Sequence, residues 1–170
     1  MKDKRRIITE EPEELLHRYG DDILQSESFQ KMKNYNHHRH SNTYAHCIAV
    51  TLRALAYCKR KKKKVDPEAL VRGCLLHDYY LYNHRTSERI KWHLFRHPLF
   101  AARNAKRDFN VDKTVEHMIK SHMWPLTPFH IPACRESWIL MNADKAVSYW
   151  ERFPKRAAKR EAKLKKKAGL

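Results

Sequence analysis

Ionisable side chains sit on the apolar helical stripes of this chain, and that placement narrows the folds open to it. In the segment beginning at Pro67, Leu70, Gly73, Cys74 and His77 stand at i, i+3, i+4 and i+7, which is one buried face of a helix. Asp78 follows and shares the neighbouring face with Val71 and Leu75. Val115, Met118, Ile119 and His122 repeat the spacing, as do Leu140, Ala143, Asp144 and Val147. His46 lies with Ala49, Val50 and Tyr57, and His97 stands at the mouth of another helical segment. An aspartate buried without a partner is costly. Two inward aspartates and several inward histidines from separate helices therefore point to one centre that compensates them all.

The rest of the chain agrees with an all-α fold. Only Gly20, Gly73 and Gly169 are glycine, which disfavours tight hairpins and leaves no glycine-rich phosphate loop. A length of 170 residues with 42% hydrophobic side chains supports one core. The expected architecture is a single helical bundle with a basic C-terminal tail. An N-terminal helical extension covers 1–36, with a helix starting at Pro12; the main domain covers 37–153 and the tail 154–170. Residues 36–43 read as a loop, with Asn42 or Thr43 capping a helix that runs to about Tyr57 and dissolves in the basic run 59–64. Asp66 and Pro67 start a helix to about Tyr80. After an irregular stretch (81–96), His97-Pro98 opens a helix through Phe109, and Asp112 caps another ending before Pro125. Residues 124–132 form a loop and 135–150 the last core helix; no alternating strand pattern is persuasive.

No apolar run approaches the ~20 residues a spanning helix needs, and the N-terminal basic residues have no apolar stretch behind them. Cys47, Cys58, Cys74 and Cys134 form no C-x-x-C pair. The expectation is a cytoplasmic protein with reduced thiols.

Imidazole nitrogen and carboxylate oxygen together suit iron, manganese, zinc or nickel. Adjacent helical residues point about 100° apart, so His77 and Asp78 can reach two sides of one centre, or Asp78 can bridge two ions. Singly, each residue has a plainer reading. A lone histidine on an apolar face is more often a hydrogen-bonded core residue, Asp144 could pair with Arg53 or Lys145, and His97 could be a helix cap. The agreement of all six in facing and order outweighs these. Four histidines and two aspartates exceed what one ion needs and suit a dinuclear centre.

The order His46, His77-Asp78, Asp144 resembles that of the HD-domain metal-dependent phosphohydrolase superfamily. The segments YAHCIAVTLRALAY, ALVRGCLLHDYYLY, HPLFAARNAKRDF, VEHMIKSHMWPL and ILMNADKAVSYW carry the likeness over about residues 40–150. The last four look like those of a subgroup of small stand-alone bacterial HD proteins. The resemblance implies that His46, His77, Asp78 and Asp144 bind a metal. In dinuclear branches, such as the cyclic-dinucleotide phosphodiesterases and diadenosine tetraphosphate hydrolases, two further histidines bind a second ion, and His97 and His122 match their order. The implied cofactor is two divalent ions, iron or manganese, with zinc, nickel or cobalt as alternatives. The implied reaction is hydrolysis of a phosphate ester or anhydride, in a nucleotide, by a metal-activated water, with Asp78 as the catalytic carboxylate. Many dinuclear members follow the His-Asp pair with Ile-Gly-Lys, whereas this chain reads Tyr79-Tyr80-Leu81. Lys145 is then a candidate phosphate contact, and His40, beside Arg39, a candidate at the border of the site.

Two other classes compete. A net charge of +17, the run 59–64 and a tail with eight Lys and Arg against one Glu over 155–167 fit a nucleic-acid- or ribosome-associated protein. The tail has no interleaved aromatics for stacking. A diiron HD-type oxygenase would use the same ligands. Among the remaining histidines, His117 lies about 140° around its helix from His122 and should face away; His84 and His93 fall in the irregular stretch.

Overall fold

The computed structural model describes residues 4–38, 41–82 and 92–153. Arg39, His40, His84 and the basic tail lie outside the described residues. The elements in chain order are β1 (Arg6–Ile7), α1 (Pro12–Leu24), α2 (Glu27–Gln30), a 3-10 turn (Lys31–Asn34), β2 (Asn36–His38), β3 (Ser41–Asn42), α3 (Thr43–Arg60), β4 (Lys64–Val65), α4 (Pro67–Leu76), α5 (His93–Phe109), α6 (Lys113–Ser121) and α7 (Arg135–Arg152). The fold is all-α, as expected.

Three helices start where their capping chemistry places them. Asn42 Oδ1 accepts the Ala45 N–H at 2.8 Å, Asp66 Oδ1 that of Ala69 at 3.1 Å, and Asp112 Oδ1 that of Val115 at 2.8 Å. Each satisfies one of the amides a first helical turn leaves open. Helix α4 is the buried centre, with Leu70, Val71, Cys74, Leu75 and Leu76 fully inaccessible, and α1, α3, α6 and α7 all pack on it. The α1–α4 approach is close: a Cβ added at Gly20 would stand 2.6 Å from Leu75 Cδ1. Leu15, Leu16, Ile23 and Leu24 of α1 thereby join the same core as α3 to α7.

The structure corrects several boundaries. The 36–43 segment is not a plain loop, because β2 and β3 pair antiparallel; β1 similarly pairs with β4. Helix α3 runs three residues past Tyr57, to Arg60. Helix α4 ends at Leu76, four residues short of Tyr80. There the His77 ring bonds the Cys74 carbonyl (2.8 Å), Asn104 donates to the Tyr79 carbonyl (3.1 Å), and Leu81 turns the chain with φ 57°. Helix α5 starts at His93 rather than at His97-Pro98, so His97 is not its cap and Pro98 is its sixth residue. Proline there leaves the Leu94 carbonyl without its usual i+4 donor. Helix α7 continues to Arg152.

Candidate metal centre

Five helices deliver six ionisable side chains to one place. His46 comes from the first turns of α3, His77 and Asp78 from the turn just past α4, His97 from α5, His122 from the residue capping α6, and Asp144 from the middle of α7. All six are buried, the most accessible being Asp144 at 7%. His46 Nε2 lies 3.2 Å from Asp144 Oδ1, and His77 Nε2 lies 3.8 Å from the same oxygen. Asp78 faces both sides of the cluster. Its Oδ2 is 3.7 Å from His77 Nε2, while its Oδ1 is 3.3 Å from His97 Nε2 and 3.6 Å from His122 Nε2. Two overlapping groups, His46–His77–Asp144 and His77–Asp78–His122, each hold their donor atoms within 4.8 Å of one another.

The far side of each imidazole ring is anchored. His77 Nδ1 donates to the Cys74 carbonyl (2.8 Å), His97 Nδ1 to the His93 carbonyl (3.0 Å) and His122 Nδ1 to the Ile119 carbonyl (2.7 Å). For His77 and His122 these acceptors are last-turn carbonyls that a helix end leaves open. A carbonyl can only accept, so these three rings carry their proton on Nδ1 and present an Nε2 lone pair inward. His46 Nδ1 meets Glu151 Oε2 at 3.0 Å. Fixing the outer nitrogen in this way orients imidazoles for metal ligation.

The electrostatics follow from burial and neighbours. Burial opposes charge on His46, but hydrogen bonds to Asp144 and Glu151 overcome it and push its pKa up to about 10. Burial holds His77 below the ordinary histidine value. His122 is lowered to about 3 by burial and by the facing His77 and His97. Burial works against ionisation of Asp144, yet the hydrogen bond from His46 and the charge of His77 keep its carboxyl well below the usual carboxylate range. The cluster thus sets an imidazole held charged by two carboxylates, His46, beside two, His77 and His122, that burial disfavours in the charged form.

A cation suits this donor set. His77 Nε2 is buried and has no hydrogen-bond partner among the described residues. His97 Nε2 and His122 Nε2 face each other at 3.0 Å with both Nδ1 protons used elsewhere. A positive ion between such lone pairs relieves both conditions, and N/O ligands of this kind suit first-row transition metals.

Asp78, His97, His122 and Asp144 of the cluster line a cleft of about 910 Å³, together with Tyr80, His93, Trp124, Leu126, Lys145 and Arg152, and His46 and His77 lie buried behind them. Lys145 Nζ donates to the Trp124 carbonyl at 2.6 Å, so it stands at the rim and does not pair with Asp144. His117 is turned away from the cluster, its Nε2 3.1 Å from the Ile131 carbonyl. Sequence reasoning missed three supporting groups. His93 stacks on His97 (4.8 Å, 27°) and bonds the Tyr82 hydroxyl (2.8 Å). Tyr80 packs edge-on against His97 (5.9 Å). Glu151 lies seven residues after Asp144, two helical turns along the same face, and that spacing was a signal available in the sequence.

The HD-domain family model matches residues 43–165, and the chain belongs to that family, the HD-domain superfamily of metal-dependent phosphohydrolases. No curated protein and no solved structure matches the chain. Among the described residues, no helix is long and apolar enough to cross a membrane.

Proposed function

We propose that this protein hydrolyses a phosphate ester or anhydride of a nucleotide, using two divalent ions, iron or manganese, held by His46, His77, Asp78, His97, His122 and Asp144. The observation that carries this reading is the convergence of inward Nε2 atoms and two buried aspartates on the floor of an open, cation-rimmed cleft. When bound, such ions supply a Lewis acid that lowers the pKa of water and offsets charge developing on phosphoryl oxygens.

The chain's own residues divide the remaining work. Asp78 directs one oxygen towards His77 and the other towards His97 and His122, the arrangement of a bridging carboxylate. Glu151 and the three backbone carbonyls keep the rings in position. Lys145 and Arg152 at the rim attract the anionic substrate, and Lys145 contacts a phosphate. His40, which precedes α3, is a further substrate contact. We take 37–153 as the catalytic unit, with 1–36 as its helical extension and 154–170 as a basic tail.

The test joins metal analysis to a hydrolysis screen. Protein reconstituted with iron or manganese should hold about two ions per chain and turn over at least one nucleotide, and Asp78→Ala should lose that turnover. A fully metal-loaded wild type that hydrolyses no phosphate ester or anhydride would overturn the reading.

A further inference from the structure

Helix α7 has three acidic residues, and all three are used inside the protein. Glu136 is buried and accepts the Asp66 amide N–H at 2.9 Å, Asp144 meets His46, and Glu151 meets the outer nitrogen of His46. Arg135, Trp138, Asn142, Lys145 and Tyr149 are exposed at i, i+3, i+7, i+10 and i+14, a single stripe along the helix. With Arg152 ending the helix, the stripe extends over about 25 Å. It carries cations and aromatic rings and no acid.

The stripe connects two clefts. Its C-terminal half, Lys145 and Arg152, lines the metal cleft. Its N-terminal half, Arg135, Trp138 and Asn142, lines a second cleft of about 1180 Å³, whose other wall is α3 with Tyr57 and Arg60, followed by Lys63. Trp138 in the second cleft stacks edge-on against Trp124 in the first, at 5.2 Å. Among the described residues, no carboxylate pairs with Arg60, Lys63, Arg135, Lys145 or Arg152, and Glu13 is the one acid lining the second cleft.

We propose that single-stranded nucleic acid lies along α7, its backbone on Arg60, Lys63 and Arg135 and its bases against Trp138 and Tyr57, with one end entering the metal cleft past Lys145. Charge complementarity selects a polyanion. The half-exposed rings, Trp138 at 39% and Tyr57 at 38%, select unstacked bases, because a duplex hides its base faces. This inference rests on the phosphohydrolase reading only for what happens in the metal cleft; the binding itself does not.

The experiment measures binding and chemistry separately on the full chain. Fluorescence anisotropy with a labelled twelve-nucleotide oligothymidylate and with the same length of duplex, in chelator, reads the groove without metal. Single strand should bind more tightly than duplex. Trp138→Ala should weaken the single strand about tenfold or more, and the Arg60→Glu, Lys63→Glu pair should weaken it and flatten its salt dependence. Lys113→Glu, which reverses a charge outside both clefts, should change little. In manganese, the groove variants should hydrolyse bis(p-nitrophenyl) phosphate like the wild type. Equal affinity for duplex, indifference to Trp138→Ala, or an equal loss in Lys113→Glu would overturn the proposed groove. A metal-loaded wild type that still binds as described but hydrolyses neither this diester nor any nucleotide ester or anhydride would overturn the phosphohydrolase reading and leave the groove standing.

Discussion

His97 Nε2 lies 3.0 Å from His122 Nε2, and each ring has given its Nδ1 proton to a backbone carbonyl of its own helix. Two lone pairs so placed repel unless a proton or a metal ion stands between them. Removing both rings, in the variant His97→Ala, His122→Ala, should lower the bound metal from two ions per chain to one, read by elemental analysis after dialysis. Each manganese site filled at a hundred times its Kd should raise stability by about 2.7 kcal/mol, so the variant, with one site fewer, should gain about half as much as the wild type. Unchanged stoichiometry in a folded variant would remove these histidines from the ligand set.

Glu151 touches the ring of His46 from the side opposite Asp144. Carboxylates in this relation raise the basicity of a ligating imidazole and hold its orientation, and losing one costs about 10–100-fold in metal affinity. Glu151→Ala should show that loss in a metal titration while its far-UV circular dichroism matches the wild type. Undiminished affinity would reduce Glu151 to a structural partner.

His117 has the opposite assignment. Its ring ties α6 to the 124–134 segment, with Nε2 near the Ile131 carbonyl and the Ala133 amide. His117→Ala should keep full metal content and turnover while losing about 1 kcal/mol of stability in denaturant, the usual worth of a hydrogen bond. A missing ion in this variant would show that the wrong histidine of α6 has been placed at the centre.

Arg6 and Glu10 form a two-point contact, at 2.7 and 2.6 Å, where β1 leads into α1. The hydrogen bond from Arg6 holds the Glu10 carboxyl well below its ordinary value of 4.5. A depressed carboxylate contributes stability above its unfolded pKa and loses it as pH falls through the folded one. Partial exposure limits the contribution to about 1 kcal/mol or less. Glu10→Gln should therefore melt below the wild type at pH 7, with the gap closing on acidification below about pH 4. A gap independent of pH would mean that the carboxylate charge is not what stabilises this corner.

Periodicity in the sequence placed His77, His122 and Asp144 on inward faces because a helix repeats every 3.6 residues, and local capping chemistry placed the starts of α3, α4 and α6 at Asn42, Asp66 and Asp112. Such signals are local, so they carry over directly from the sequence. Helix ends were not legible in the same way. Helix α4 stops at Leu76, where the His77 ring takes up the Cys74 carbonyl and Asn104, a residue on another helix, holds the Tyr79 carbonyl of the turn beyond, and α5 begins a turn before Pro98. Facing also says nothing about which neighbour is met. His46 and Glu151 are 105 residues apart and His97 and His122 are 25 apart, so their contacts depend on how α3, α5, α6 and α7 pack around α4. The acid-free outer stripe of α7 emerged for the same reason. Glu136, Asp144 and Glu151 count as charges in the sequence, and packing turns all three inward, leaving arginine, lysine and aromatic rings to the solvent.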